Sequence, residues 1–147
     1  MHYMMAVFAD SAEAIGAGNY QVAPLVSGNE DAMSVTLAKQ LRSGQYLSWA
    51  IREQEAALTD LQLTAINLEN RLAARPDFAM FFSCLGRGPY FYGGIDRDLG
   101  LLTTKFPGMP IIGFYGNGEI APAMRHDQIG CELLEYSAVL GLFSRGR

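Results

Sequence analysis

Two short loops combine glycine with a single charged residue, and they hold the best candidates for chemistry in the sequence. They are Gly86-Arg87-Gly88 and Gly116-Asn117-Gly118-Glu119. Glycine tolerates positive φ and close backbone approach, an Arg guanidinium can bind a carboxylate through two parallel hydrogen bonds, and a Glu carboxylate can pair with an ammonium group. We therefore expect the loops to form two sides of one pocket. The predicted ligand-binding residues are Cys84, Gly86, Arg87, Gly88, Asn117, Gly118 and Glu119.

Each of the two charges also has a purely structural interpretation. Arg87 can instead pair with Asp96 or Asp98 and order its own loop. Glu119 can instead accept backbone N–H groups and hold the turn at 116–118. Both interpretations fit the spacing, so both stay open at this point.

Cys84 lies close to Arg87 in the sequence, and a thiol near a cation is a candidate nucleophile. A catalytic cysteine also needs a base within hydrogen-bond reach, and the histidines are His2 and His126. We therefore expect a buried structural thiol, no catalytic residue and no enzyme activity. A cysteine-dependent acyl or amide enzyme that uses Cys84 with His126 or Glu119 is the alternative.

Two Cys and two His at unrelated spacings match no zinc-ligand pattern, so we predict no metal site and no cofactor.

The net charge of −4, with the eleven Lys and Arg residues scattered along the chain, argues against binding to nucleic acid or to an anionic membrane. The sequence has no apolar run of about 18 residues and no secretory leader, which favours a cytoplasmic protein without membrane insertion. Half of its 147 residues are apolar and 18% are charged, which fits a surface covered in part by another domain or by a second copy in a homo-oligomer.

The sequence predicts one long helix. Apolar residues recur at three- and four-residue steps from 53 to about 74, and Pro76 follows as a stop. A shorter helix is predicted over 95–106, where it ends at Pro107 and Gly108.

Strands are predicted on both sides of these helices. Pro24 cannot donate to a ladder, so its strand is expected at an edge or beside a bulge. The alternation from 46 to 52 places Leu47, Trp49 and Ile51 toward a core. The predicted fold is α+β, a mainly antiparallel β-sheet with one long and one shorter helix packed on it. The strands are predicted at 20–26, 32–38, 46–52, 78–84, 110–115, 129–136 and 137–143.

Three consecutive aromatic residues follow the first glycine loop, Tyr90, Phe91 and Tyr92. On an extended chain they cannot all face one way. They could line a pocket, but we expect them to pack against a further domain.

Several motifs in the second half of the chain together resemble a known family. They are Phe82-Ser-Cys-Leu-Gly-Arg-Gly88, the pair Asp96 and Asp98, Pro110-Ile-Ile-Gly-Phe114, Gly118-Glu-Ile-Ala-Pro122 and the stretch 136–143. This set is similar to the C-terminal domain of the FIST family, the F-box and intracellular signal transduction proteins. The resemblance runs from about Gly18 to Phe143, and its specific motifs lie after Phe78.

The resemblance implies a non-catalytic intracellular sensory domain that binds a small, amino-acid-like ligand for signal transduction. It also implies a FIST N-terminal domain or a downstream signalling module as partner. A protein interaction module of a signalling or F-box-type protein is an alternative. We expect residues 1–17 to be a linker or the remnant of a preceding domain, and residues 18–147 to form the sensory domain. No role is carried over to His126, where the chain departs from the family pattern.

Overall fold

The structure is a computed structural model that describes residues 4–125 and 128–145. The chain divides into two compact units, Met1–Glu53 and Gln54–Arg147. The two predicted loops both lie in the second unit.

The first unit contains one antiparallel sheet in the strand order β3-β2-β1-β4. The predicted hairpin is formed by β2 and β3. Pro24 lies in β2, which has neighbours on both sides, and the register of the ladder shifts between Leu25 and Ser27. The prediction of a bulge is therefore confirmed. The elements are β1 (Met4–Ala9), α1 (Ala12–Gly16), β2 (Gln21–Asn29), β3 (Ser34–Leu37) and β4 (Tyr46–Ile51).

The core of this unit is centred on β1 and β2, where Ala6, Phe8 and Ala23 are buried together. The prediction that Leu47, Trp49 and Ile51 face a core is wrong, because their side chains are 40%, 50% and 72% exposed. The register places Leu47 beside Phe8 and Trp49 beside Ala6. However, β4 is an edge strand, and the packed cluster does not extend across to it.

The second unit places helices on a mixed sheet in the strand order β6-β5-β9. Strand β5 pairs with β6 in parallel and with β9 antiparallel, and β7 and β8 form a separate antiparallel ladder. The elements are α2 (Gln54–Glu69), β5 (Phe78–Cys84), a 3-10 turn (Leu85–Arg87), α3 (Arg97–Lys105), β6 (Ile111–Gly116), β7 (Glu119–Arg125), β8 (Gln128–Leu134) and β9 (Ala138–Phe143).

The core of the second unit lies between the two longer helices and the sheet. Leu61 and Ala65 of α2 and Leu102 of α3 pack on Phe81 of β5 and Leu140 of β9. The three- and four-residue spacing that predicted α2 thus marks its buried side. The predicted α+β fold with mainly antiparallel sheets is confirmed, and β5 with β6 is its parallel exception.

Strand β1, helix α1 and strand β7 are missing from the elements predicted above. Helix α1 lies in a stretch rich in Gly and Ala, and it begins where the Ser11 hydroxyl accepts the N–H of Ala14 at 3.1 Å. Strand β7 begins at Glu119, which sequence reasoning assigned to a loop. Within residues 4–125 and 128–145, no helix is both long and apolar enough to cross a membrane.

Candidate functional site

The two glycine loops begin side by side. In the parallel pair, Cys84 at the end of β5 lies opposite Gly116 at the end of β6. Carboxyl ends of adjacent parallel strands lie at the same edge of a sheet, which is where ligands bind in many α/β proteins. The prediction that two distant bends meet at neighbouring strand ends therefore agrees with the strand register.

Arg87 lies in the 3-10 turn directly after β5, and its guanidinium is turned into the protein. Its Nε donates to Asp98 Oδ2 at 2.8 Å, and its Nη2 donates to the Ala57 carbonyl at 2.7 Å. Arg87 is 8% exposed and Asp98 is 1% exposed. The structural interpretation of Arg87 therefore holds for these two nitrogens, with Asp98 rather than Asp96 as the partner.

Tyr92 completes this group, because its hydroxyl donates to Asp98 Oδ1 at 2.6 Å. Burial, together with the hydrogen bond to the Asp98 carboxylate, raises the pKa of Tyr92. Burial opposes the charge of Arg87, but the hydrogen bond and charge of Asp98 outweigh it and raise the pKa of Arg87 further. Arg87, Tyr92 and Asp98 are called the Arg87 cluster below. It ties the loop after β5 to the starts of α2 and α3.

Asp96 has a different task from Asp98. It caps α3, because its Oδ1 accepts the N–H of Leu99 at 2.9 Å, and its Oδ2 accepts the hydroxyl of Tyr115 from β6. Burial, followed by the bond to Asp96, raises the pKa of Tyr115. A Cβ at Gly88 would lie 3.3 Å from the Tyr115 ring, so this glycine allows the loop to pass closely over β6. Sequence reasoning flagged the two aspartates but missed both tyrosine partners.

Glu119 begins β7 and is 4% exposed. Its Oε2 accepts the Ser137 hydroxyl at 2.6 Å, and its Oε1 is buried without a hydrogen-bond partner among the described residues. The described bond of the carboxylate is thus to a side-chain hydroxyl and not to the backbone of the 116–118 turn. The Ser137 carbonyl in turn accepts the N–H of Cys84 at 3.0 Å. Glu119, Ser137 and Cys84 are called the Glu119 cluster below.

Ser137 was not predicted as a site residue, since no feature of the surrounding sequence other than the motif that contains it points to a contact with Glu119. Cys84 and Cys131 are thiols, and Cys84 is buried at 5% exposure. The neighbouring Ser83 is 1% exposed, and its hydroxyl also has no partner among the described residues. His2 and His126 lie outside the described residues, so the pairing of Cys84 with His126 stays a prediction.

The remaining predicted residues shape the two bends. Gly86 lies inside the 3-10 turn, and Asn117 is exposed at the tip of the second bend. Gly118 has a φ of +127°, and a Cβ there would lie 3.1 Å from Leu133 Cδ1 and 3.3 Å from the Leu134 carbonyl oxygen. The positive φ and the lack of space for a Cβ both favour glycine at this position.

The three aromatic residues lie in hydrogen-bonded turns and not on an extended chain, because the N–H groups of Phe91 and Tyr92 donate to the carbonyls of Gly88 and Pro89 at 2.9 and 3.0 Å. Tyr90 is 91% exposed, whereas Phe91 and Tyr92 are 6% exposed and pack with Leu58 of α2. The expectation that the run packs against another domain is wrong for Phe91 and Tyr92, because their own unit buries them.

Among the described residues, no group of three His, Cys, Asp or Glu side chains could hold a metal ion.

Comparison with known proteins gives a family match and distant relatives. The family model for the FIST C domain matches residues 2–122. An uncharacterized protein of Mycobacterium bovis is 29% identical over 107 residues, which are 73% of this chain and 28% of that protein. An uncharacterized protein of Mycobacterium tuberculosis is 25% identical over 114 residues, which are 78% of this chain and 30% of that protein. The chain thus spans less than a third of the length of these relatives.

Proposed function

The chain belongs to the FIST C domain family, which is implicated in signalling, and on this premise we propose that it is a non-catalytic sensory domain for a small, amino-acid-like ligand. The ligand binds at the edge where β5 and β6 end, between the two glycine bends. The observation that carries the proposal is the buried Glu119 carboxylate, which has one oxygen hydrogen-bonded and the other without a described partner.

A buried carboxylate oxygen without a partner is unfavourable, since burial removes its hydrogen bonds to water. An ammonium group of a ligand would supply both a donor and a compensating charge. Ser137 holds the other oxygen at 2.6 Å, so the carboxylate is fixed in orientation before the ligand arrives. The Glu119 cluster is therefore the anchor that we assign to the amino group.

Arg87 has a secondary role in this proposal. Its described bonds use Nε and Nη2, which hold Asp98 and Ala57. The remaining nitrogen, Nη1, has no described bond to residues 4–125 or 128–145, and it is the group that would meet a ligand carboxylate. A ligand carboxylate would thus contribute less to affinity than the amino group does.

Binding requires the second bend to open, because Glu119 Oε1 is buried in the structure. The bend is Gly116-Asn117-Gly118, in which Asn117 is exposed. Closure of this bend over a bound ligand is the conformational change that would report occupancy to a signalling partner. A FIST N-terminal domain or a downstream signalling module is the partner that this mechanism requires.

A thermal-shift screen of the twenty standard amino acids tests the proposal. A ligand at 100 times its dissociation constant stabilises the folded state by about 2.7 kcal/mol, a shift of several degrees for a chain of this size. We expect at least one amino acid to give such a shift. If none does, in this chain or in a longer form of it, the proposed function is wrong.

The Glu119→Gln variant tests the anchor. The Gln carbonyl can still accept the Ser137 hydroxyl, but its NH₂ group replaces the open oxygen with a donor that repels an ammonium group. We expect the variant to fold and to lose the thermal shift. Glu30→Gln, at an exposed position of the first unit, is the matched control and should keep it. An unchanged response in Glu119→Gln would remove Glu119 from the site.

A further inference from the structure

Strand β6 is an edge strand of the sheet in the second unit, and the side chains on its solvent-facing face are apolar. In the described residues it has a neighbour on one side only, β5. Ile112 and Phe114, two positions apart on one face, are 66% and 68% exposed. From Pro110 to Gly118 the sequence contains no charged residue. Natural edge strands usually carry Lys, an inner Pro or a bulge that prevents pairing with another chain, and here the one proline lies before the strand begins.

The ladder to β5 fixes which backbone groups of β6 remain open. The N–H of Ala79 donates to the Pro110 carbonyl at 2.9 Å, and Ala79 lies in register with Ile111. In a parallel ladder, alternate residues of one strand bond the same neighbour. Residues 112 and 114 therefore direct their N–H and C=O groups toward β5, while 111, 113 and 115 direct theirs toward the open side.

We propose that β6 pairs antiparallel with β6 of a second copy of this chain, with Gly113 on the two-fold axis. In this register the two Gly113 residues exchange both of their hydrogen bonds, and Ile111 of each copy pairs with Tyr115 of the other. Ile112 then lies opposite Phe114 of the second copy as a pair without mutual hydrogen bonds, the arrangement in which side chains lie closest.

The strand is self-complementary in this arrangement. The two-fold axis generates two identical pairs of an aromatic with a β-branched side chain, which are favourable cross-strand neighbours. No charge faces a like charge across the axis, since the strand has none. A two-fold dimer uses the same surface on both copies and closes, so this pairing stops at two copies. Shifting the register by one residue would remove the Ile112 to Phe114 pairs.

The pairing of two six-residue strands buries less than the roughly 1,200 Å² of a standard stable interface. The association is therefore weak, and the measurement needs high concentration. We expect sedimentation velocity of the full chain, from about 10 μM to about 1 mM, to show monomer passing to dimer. The double variant I112K/F114K places lysines opposite lysines and should remain monomeric over the same range.

Ile95→Lys is the matched control, because Ile95 is 70% exposed but lies outside any strand; its dimerisation should be unchanged. Hydrogen exchange supplies the register, since the amides of 111, 113 and 115 should become protected only as the dimer forms. A chain that is monomeric throughout, or a dimer that survives both lysines, overturns the proposal. Protection of these three amides in the monomer, in this chain or in a longer form of it, also overturns it, because the strand would then pair within one chain.

Discussion

The two glycine bends start at the same edge of one sheet, yet their charges are treated in opposite ways. The Arg87 cluster is closed: the buried guanidinium holds Asp98 and the Ala57 carbonyl, and Tyr92 holds the other oxygen of Asp98. The Glu119 cluster is open, because one carboxylate oxygen has no described partner. The first bend is thus held by a buried ion pair, whereas the second contains a buried acceptor without a described partner, which is the group that we propose binds a ligand.

Replacing Arg87 with Met should have the largest effect on stability. It leaves the Asp98 carboxylate buried without its cation, and breaking one side of a buried pair costs about 3–5 kcal/mol. Chemical denaturation measures this loss. Arg97→Met is the control, since Arg97 pairs with the more exposed Glu55 and should cause a much smaller change. Equal losses in the two variants would show that the Arg87 cluster does not hold the fold.

The sequence predicted the two bends and their charges but not the contrast between them, because both interpretations of Arg87 and of Glu119 fitted the spacing. That the bends meet was a hypothesis from two strand-like runs that end in glycine, and it agrees with the register of β5 and β6. Asp98 was one of two aspartates named as a partner of Arg87. The selection of Asp98 over Asp96 depends on the start of α3, since a cap residue must direct its side chain back to the helix N–H groups.

Other features could not be predicted because they depend on distant parts of the chain. Ser137 reaches Glu119 across 18 positions, and no local pattern encodes that contact. Trp49 was assigned to a core because alternation predicts which residues share a face, but not whether another layer covers that face. The domain boundary predicted at residue 17 stays a prediction.

Tyr92→Phe should have the next largest effect. It removes the hydroxyl that donates to Asp98 Oδ1 at 2.6 Å, and a buried hydrogen bond to a charged group contributes about 1.5–3 kcal/mol. Tyr90→Phe, at a residue that is 91% exposed, should leave the free energy of unfolding unchanged. If Tyr92→Phe leaves the free energy of unfolding unchanged, Arg87 alone satisfies the Asp98 carboxylate.

Gly118→Ala tests the second bend. A side chain at φ +127°, with its Cβ 3.1 Å from Leu133, should cost about 1–3 kcal/mol. Gly100→Ala, in the middle of α3 with open space around it, should instead stabilise by about 0.5–1 kcal/mol. If Gly118→Ala is also stabilising, the backbone of this bend is not constrained as described.

Alkaline pH should reduce the contribution of the Arg87 cluster to the free energy of unfolding. The pKa of Tyr92 is raised in the folded state above its ordinary value of 10.0, by burial and by Asp98. Above pH 10.0 the Tyr92 hydroxyl therefore keeps its proton in the folded protein but loses it in the unfolded chain. The contribution of this hydroxyl to the free energy of unfolding is complete below pH 10.0 and falls as pH rises above that value. Denaturation at pH 9 to 11 should show a smaller fall in Tyr92→Phe than in the native sequence. A fall of equal size in both would contradict the assignment to Tyr92.

The most direct test of the open cluster is calorimetric titration with the best amino acid from the screen and with its N-acetyl derivative, on the native chain and on Glu119→Gln. If the ammonium group meets Glu119, acetylation and the Gln substitution should each weaken binding by at least about tenfold, and their combination should be no worse than either alone. Losses that simply multiply would contradict the account, because they would mean that the amino group and the Glu119 carboxylate act independently.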